Sequence, residues 1–364
     1  MKIINNNLLT FIDVFYREVL VSSYTSVMLT LLIVVTRKWH GKHTHDTSDG
    51  PQKFHVALTP RVGGIAIFLA LIVSCKFFPR HSSQLMEPIL IAALPVFVVG
   101  LAEDLSKRIH PLQRFLAAIV TAIGAWWLTG YNLNHIEITG VDYFLAYLPV
   151  SLAFTAFAVA GVTNAINIID GFNGLAGGTV IIGLFALGII ALQAGDLQLA
   201  QVCVTVIFVM IGFMLFNYPF GKIFLGDGGA YLLGFILAWV AVMLPARNPQ
   251  VSLWAPLLVC SYPINEVIFS MLRRTWNKSH LHHADSAHLH SLIKVTIVRP
   301  YFGHLQPHQR NSLVAPFCWA YTLLFATIAI FLKGRTDLLM MAWVASFALY
   351  SIIYKRLSLM KKCC

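Results

Sequence analysis

Eleven apolar segments recur along this chain, at about 19–36, 64–79, 86–102, 115–130, 144–163, 175–194, 199–216, 229–245, 251–271, 313–332 and 337–353. Each approaches the roughly 20 residues that an α-helix needs to cross a bilayer. Few folds tolerate such a pattern. In hydrocarbon the backbone must bond to itself, so runs of this kind become helices packed side by side. Composition agrees: 58% of the 364 residues are hydrophobic and only 11% are charged, against about 25% charged in soluble domains. The expected fold class is all-α, a polytopic transmembrane bundle of about eleven spans forming a single domain over residues 1–364. The shorter segments are reconciled with the bilayer by tilt or local thinning.

An odd number of spans puts the termini on opposite sides, and the basic residues choose the side. With the N-terminus outside, nineteen of the 26 Lys and Arg residues fall on inner stretches. Six lie in the inner stretch 272–312. The expected topology is therefore N-out, C-in. Groups that did not enter this count follow it: Glu103, Asp104, Asp170, Asp227 and Asp285 lie on inner loops, with twelve of the fourteen His residues. The net charge of +11 is spread between apolar spans and forms no compact basic domain. That argues against nucleic acid and for anionic lipid or a phosphorylated substrate. Residues 1–20 contain Asp13, Arg17 and Glu18 and lack a small-residue cleavage site, so the first span is expected to act as an uncleaved anchor. Cys75, Cys203, Cys260 and Cys318 lie in or beside apolar spans with no paired spacing, as buried small hydrophobes would.

Four inner stretches concentrate polar chemistry. Asn164, Asn167 and Asp170 follow at i, i+3 and i+6 near the end of an apolar helix, and glycines come after. Three polar groups on one helix face at membrane depth are costly and point to function, although Asp170 could simply end the helix. Asp227 sits among Gly226, Gly228 and Gly229 just before another apolar helix. That setting suits a helix cap, or phosphate with a divalent metal. Glu103 and Asp104 are adjacent acids at a membrane boundary, read either as a solvated pair or as a metal ligand beside a general base. Five His fall between 280 and 290, with Asp285 among them. Zinc is the rival reading there, but no Cys accompanies them, and imidazoles also suit phosphate oxygens. A transporter would spread polar groups through its depth. Here Glu266 is the one clear acid inside a span.

With these residues in place, the chain resembles the polyprenyl-phosphate N-acetylhexosamine-1-phosphate transferases from Pro60 to about Leu292. Thr59-Pro-Arg-Val-Gly-Gly resembles the family's opening motif, and Glu103-Asp104 stands at its acid pair. The stretch 164–177 matches its asparagine–aspartate–glycine motif. Phe224-Leu-Gly-Asp-Gly-Gly and His283-Ala-Asp-Ser-Ala-His-Leu-His290 match two further motifs in the family's order. The resemblance implies transfer of a sugar 1-phosphate from a UDP-N-acetylhexosamine to undecaprenyl phosphate with release of UMP, assisted by Mg2+ or Mn2+. It implies Asp227 and Asn167 as metal ligands, Glu103 as the base toward the lipid phosphate with Asp104 beside it, and Asp170 in the metal and nucleotide region. Asn164 joins the substrate site, and Asn173 takes a position associated with uracil. His283, Asp285, His288 and His290 would bind phosphates from a cytoplasmic histidine-rich loop at 272–312, with Arg61 and Lys107 as further contacts. The implied location is a bacterial inner membrane, with the site cytoplasmic. Three positions depart from the family pattern: Glu103 for Asp, Ala230 for Ser, and Ser291 for the last His. The extended histidine motif of the pentapeptide-carrying branch is absent, which favours an amino-sugar branch feeding O-antigen or another surface polysaccharide. Glu103 keeps a catalytically degenerate member open as an alternative. Oligomeric state stays open, a homodimer included.

Overall fold

The computed structural model describes residues 2–44, 59–77, 80–276 and 288–363. Among them regular structure is helical: α1 Lys2–Thr44, α2 Gly63–Cys75, α3 Arg80–Ala92, α4 Leu94–Ser106, α5 Pro111–Thr129, α6 Thr139–Leu145, α7 Leu148–Ile169, α8 Leu175–Ala194 and α9 Leu197–Asn217. The chain continues as α10 Gly226–Arg247, α11 Trp254–Val259, α12 Ser261–Trp276, α13 Leu289–Ile293, α14 Arg299–Tyr301, α15 Pro307–Ser312, α16 Val314–Leu332 and α17 Thr336–Cys363.

Among the described residues the eleven apolar segments are mostly helical, but some fall on helices that are broken or short. Eight helices among the described residues are long and apolar enough to cross a membrane, and a bent pair makes nine. The expected eleven exceeds that count. The bent pair is α3 with α4, turned by 47°. Pro95 has no N–H to continue the ladder there, and the Val96 N–H is diverted to Thr121 Oγ1 on α5 at 3.2 Å. Helix α2 has 13 residues, which span roughly 20 Å, short of a hydrocarbon core of about 30 Å. The segment 251–271 is divided into α11 and α12 at Cys260. Pro263 cannot donate to Val259 at that break.

Helix α10 is the axis of the bundle and packs on α7, α4, α2 and α8. Every residue from Gly226 to Val240 is buried, as expected of a helix apolar on all sides. Helices α1 and α17 lie outside and expose Leu20, Leu32, Val35, Val344 and Ile352, side chains suited to lipid. Cys75, Cys203, Cys260 and Cys318 are buried and unpaired.

Polar groups collect at the two ends of the bundle. At one end, Arg247 on α10 grips Asp196 before α9 through Nε at 2.6 Å and Nη2 at 2.9 Å, and Nη1 donates to Tyr131 Oη at 2.9 Å. Burial raises the affinity of Asp196 for a proton, but the Arg247 and Leu199 hydrogen bonds outweigh it and hold the carboxyl below its usual range. The opposite end carries the acids and histidines.

Candidate active site

The site begins with a close approach of three chain segments. The backbone at Pro60–Gly64 runs beside Phe224–Leu225: Phe224 N–H donates to Pro60 O at 2.8 Å, and the N–H groups of Gly63 and Gly64 donate to Phe224 O and Leu225 O, each at 3.0 Å. Only glycine fits at two points. A Cβ on Gly64 would stand 2.4 Å from Gly229 N. Gly226 has φ +75°, and its Cβ would stand 2.0 Å from Arg61 O. These contacts place Arg61 over the start of α10.

Asp227 lies in the first turn of α10. Leu225, the residue before that helix, offers no side-chain cap. The cap comes from α4: Asp104 Oδ1 accepts from Asp227 N–H at 2.8 Å, and Oδ2 accepts from Gly228 N–H at 2.9 Å. Asp104 is only 3% exposed, yet its charge is matched by two of the unpaired donors that every helix start presents. Arg61 Nη2 donates to Asp227 Oδ1 at 3.1 Å, and Arg61 Nε lies 3.7 Å from Asp104 Oδ1. Arg114, on α5, donates to Asp227 Oδ2. Both oxygens of Asp227 therefore face guanidinium groups.

Asp170 ends α7 and enters the same electrostatic cluster. Desolvation pushes its carboxyl well above the usual carboxylate range; Arg61 opposes this, while Asp227 and Asp104 add to it. Asn164 and Asn167 lie on the last turns of α7. Tyr231 on α10 donates to Asn164 Oδ1 at 3.0 Å, and Asn167 lies beside the same phenol. Asn173 is 2% exposed; its Nδ2 donates to Pro219 O at 3.4 Å, and its buried Oδ1 has no protein partner. Asn217 ties the loop together, accepting from Gly174 N–H and donating to Ile223 O, both at 2.8 Å.

Glu103 holds the adjoining turn, where its Oε2 accepts from Ile109 N–H at 2.7 Å. Lys107 is exposed and turns the chain out of α4 with φ 55°. Its backbone N–H bonds Glu103 O at 2.8 Å and closes the last turn of α4.

The stretch 272–312, expected as a loop, is largely helical in its described part. His288 and His290 lie at the start of α13, their rings stacked at 5.2 Å. Glu266 on α12 holds both: His288 Nδ1 is 2.9 Å from Oε1, His290 Nδ1 is 3.7 Å from Oε2, and Leu289 N–H donates to Oε1 at 3.1 Å. His290 packs against Phe172 at 5.4 Å, next to the Asp170 turn. The described histidines thus meet the acid cluster through Phe172. His283 and Asp285 lie outside the described residues.

Arg61, Asn164, Asn167, Asp170 and Asp227 come together with Asp104, and His288 and His290 close one side. Sequence reasoning left Arg114, Glu266, Tyr231 and Asn217 without roles. Only Glu266 carried a signal, as an acid within an apolar segment. Among the described residues no three His, Cys, Asp or Glu side chains surround a common point at metal-binding distance.

A largely apolar cavity of about 260 Å³ opens between α7, α10 and the α11–α12 break, lined by Phe154, Val162, Ala241, Trp254, Cys260 and Ile264 among others. Val162 lies two positions before Asn164, and Ile264 two before Glu266. Leu133, Ile136, Ile138 and Val242 also line it, so the cavity reaches toward the end that carries Tyr131 and Arg247.

Residues 86–245 match the profile of glycosyl transferase family 4. Over 306 residues, 83% of this chain and 80% of the relative, the chain is 26% identical to a probable undecaprenyl-phosphate N-acetylglucosaminyl 1-phosphate transferase of Bacillus subtilis strain 168. It is 29% identical to the undecaprenyl-phosphate alpha-N-acetylglucosaminyl 1-phosphate transferase of Yersinia pestis, over 66% of this chain and 67% of that one. It is 30% identical to a phospho-N-acetylmuramoyl-pentapeptide-transferase of Streptococcus thermophilus strain CNRZ 1066, over 66% of this chain and 73% of the relative.

Proposed function

The chain belongs to glycosyl transferase family 4, and from that premise we propose that it transfers an N-acetylhexosamine 1-phosphate from a UDP-sugar to undecaprenyl phosphate. A lipid-phosphate oxygen attacks the phosphorus that carries the sugar. The bond from that phosphorus to the UMP oxygen breaks, UMP leaves, and a lipid-linked diphosphate sugar remains. One observation carries the reading: Asp104, Asp170 and Asp227, interleaved with Arg61 and Arg114, gather at one end of a helical bundle. That layout suits a polar donor from water and an acceptor whose phosphate is held near the membrane surface.

Two phosphates repel as they meet, so cationic groups must face them. Arg61, Arg114, His288 and His290 are the cations or donors for that task. Glu266 positions the two imidazoles. Glu103 takes the base role toward the lipid phosphate, from a turn fixed by its bond to Ile109. Asn173, with a buried Oδ1 lacking a protein partner, is the candidate for the uracil edge.

The residues fit a divalent cation. Asp227, Asp170 and Asn167 offer oxygen donors of the kind Mg2+ or Mn2+ prefers. Burial chiefly raises the proton affinity of Asp170, and the nearby Asp227 and Asp104 add to it, a charge that such a cation would offset. When bound, the cation neutralises phosphate charge and favours departure of UMP. Asp227 and Asn167 would hold it, with the arginines turning from Asp227 to the phosphates.

The bias of Lys and Arg supports a cytoplasmic position for this end of the bundle, in a bacterial inner membrane, where UDP-sugars are available. The absence of the extended histidine motif of the pentapeptide-carrying branch favours an amino-sugar donor and a product feeding O-antigen or another surface polysaccharide. The test is an assay in membranes with radiolabelled UDP-N-acetylhexosamines and undecaprenyl phosphate, with and without EDTA. The expected result is label in an organic-extractable lipid, lost in EDTA and in Asp227→Ala. Transfer that persists under either condition would sink the mechanism. No transfer from any UDP-sugar would favour a degenerate enzyme.

A further inference from the structure

Helix α17 meets α12 along one face. Asn265 Nδ2 donates to Ser346 Oγ at 3.1 Å, and Arg273 Nη1 donates to Tyr354 Oη at 2.9 Å. Ser346, Tyr350 and Tyr354 follow at intervals of four, so they project from one side of α17. Tyr350 is the middle rung of this ladder. Its ring lies 5.4 Å from that of Phe269, three residues after Glu266 on α12, and its hydroxyl lies beside Glu266 itself. Both residues are enclosed, Tyr350 at 0% exposure and Glu266 at 1%.

The two oxygens of Glu266 are used unequally. Oε1 faces His288 Nδ1 and accepts from Leu289 N–H. Oε2 lies 3.7 Å from His290 Nδ1, and among the described residues it has no hydrogen bond; neither has the Tyr350 hydroxyl. A buried carboxyl oxygen and a buried phenol are each costly when left unpaired, and here they are neighbours. The other side chains near Glu266 serve less well. Cys318 on α16 is a weak donor, and Tyr262, one turn back on α12, lies beside Cys318.

We propose that Tyr350 is a positioning residue for the transfer site: its hydroxyl donates to Oε2 of Glu266, directly or through one water, and so fixes the carboxylate that holds His288 and His290. This assignment rests on the transfer reaction proposed for the acid and histidine cluster. The last torsion of a glutamate is broad and easily turned. With Oε1 committed to α13 and Oε2 to α17, the carboxylate is anchored at both oxygens, and the imidazoles keep their places as phosphates arrive and leave. Tyr350 does this without touching substrate. Helix α17, which exposes Val344 and Ile352 on its outer side, thereby supports the site from behind.

The test uses the full chain in detergent. Transfer from radiolabelled UDP-N-acetylhexosamines and thermal unfolding are measured for wild type, Y350F, E266Q and E266Q/Y350F. The Y350F change keeps the ring against Phe269 and removes only the hydroxyl. We expect Y350F to lower kcat/KM about tenfold, the scale of a hydrogen bond to a charged group. Its pH profile should be displaced in the same sense as that of E266Q, a change that lost packing would not produce. Because the hydroxyl acts through the carboxylate, E266Q/Y350F should be no worse than E266Q in activity or in thermal midpoint. Wild-type kcat/KM and pH profile in Y350F overturn the proposal, as do losses that add in the double variant. If Y350F does not fold, as judged by gel filtration, Y350M, which also lacks the hydroxyl and packs adaptably, is read in its place. A wild type that transfers from no UDP-sugar strikes the transfer reaction instead. The thermal cycle then decides the contact by itself: coupled midpoints uphold the link between Tyr350 and Glu266, and additive midpoints overturn it.

Discussion

The carboxylate of Asp104 accepts the N–H groups of Asp227 and Gly228 at 2.8 and 2.9 Å, so one acid of the site caps the helix that carries another. Two acids far apart in sequence are thereby held together by backbone bonds that survive any movement of Asp227's side chain. Asp104 is therefore a structural member of the cluster as well as an electrostatic one. Its replacement should damage fold and activity together. Asp104→Ala is expected to destabilise the protein by about 1–2 kcal/mol, the usual effect of a lost cap, and to abolish transfer. Asp104→Asn keeps one acceptor and should recover most of the stability without the activity. Thermal unfolding in detergent beside the radiolabel assay separates the two effects. An Asp104→Ala protein as stable as wild type would remove the capping role.

Arg114 faces one oxygen of Asp227 and Arg61 the other. Arg114→Gln should lower kcat/KM by roughly a hundredfold, the scale of losing one preorganised charge partner. Because the two groups act as a unit, Arg114→Gln/Asp227→Asn should be no worse than Asp227→Asn alone. Additive losses in that double-mutant cycle would show that the pair is not coupled.

Glu266 holds His288 at 2.9 Å and lies 3.7 Å from His290. Glu266→Gln preserves shape but removes the charge. A hydrogen bond to a charged group contributes about 1.5–3 kcal/mol, so kcat/KM should fall between about ten- and a hundredfold, with the pH profile altered and the fold kept. A variant with full activity and an unchanged profile would leave Glu266 with packing alone.

At the opposite end of the bundle, Asp196 is held below the usual carboxylate range by Arg247. A depressed folded-state value means stability that is present above the unfolded value, near about 3.9. That stability is lost as pH falls through the folded value. Wild type should therefore lose thermal stability in the acid range more steeply than Asp196→Asn, and the two melting curves should converge at low pH. Parallel curves from neutral to acid pH would exclude this ion pair as a source of acid sensitivity.

Much of the architecture was legible before any coordinates. Every apolar segment became helix, because a backbone surrounded by lipid has no other partner for its N–H groups. The span count was not legible, since Pro95 and Pro263 divide helices whose hydropathy runs on unbroken, and α2 is apolar but too short. At the site, Asp227 and Asp170 announced themselves through glycines and unusual depth. Arg114 did not, because an arginine at the start of an amphipathic helix looks like any residue of a basic inner loop.

The sequence by itself determined a helical, membrane-suited protein whose acids and histidines gather on the loops richest in Lys and Arg, because hydropathy and charge act locally and can be read residue by residue. Which acid caps which helix, which arginine faces Asp227, and that Glu266 steadies two histidines were decided only in the tertiary structure. Those relationships join residues 22 to 166 positions apart, and nothing in local patterning carries the geometry that packing against α10 imposes.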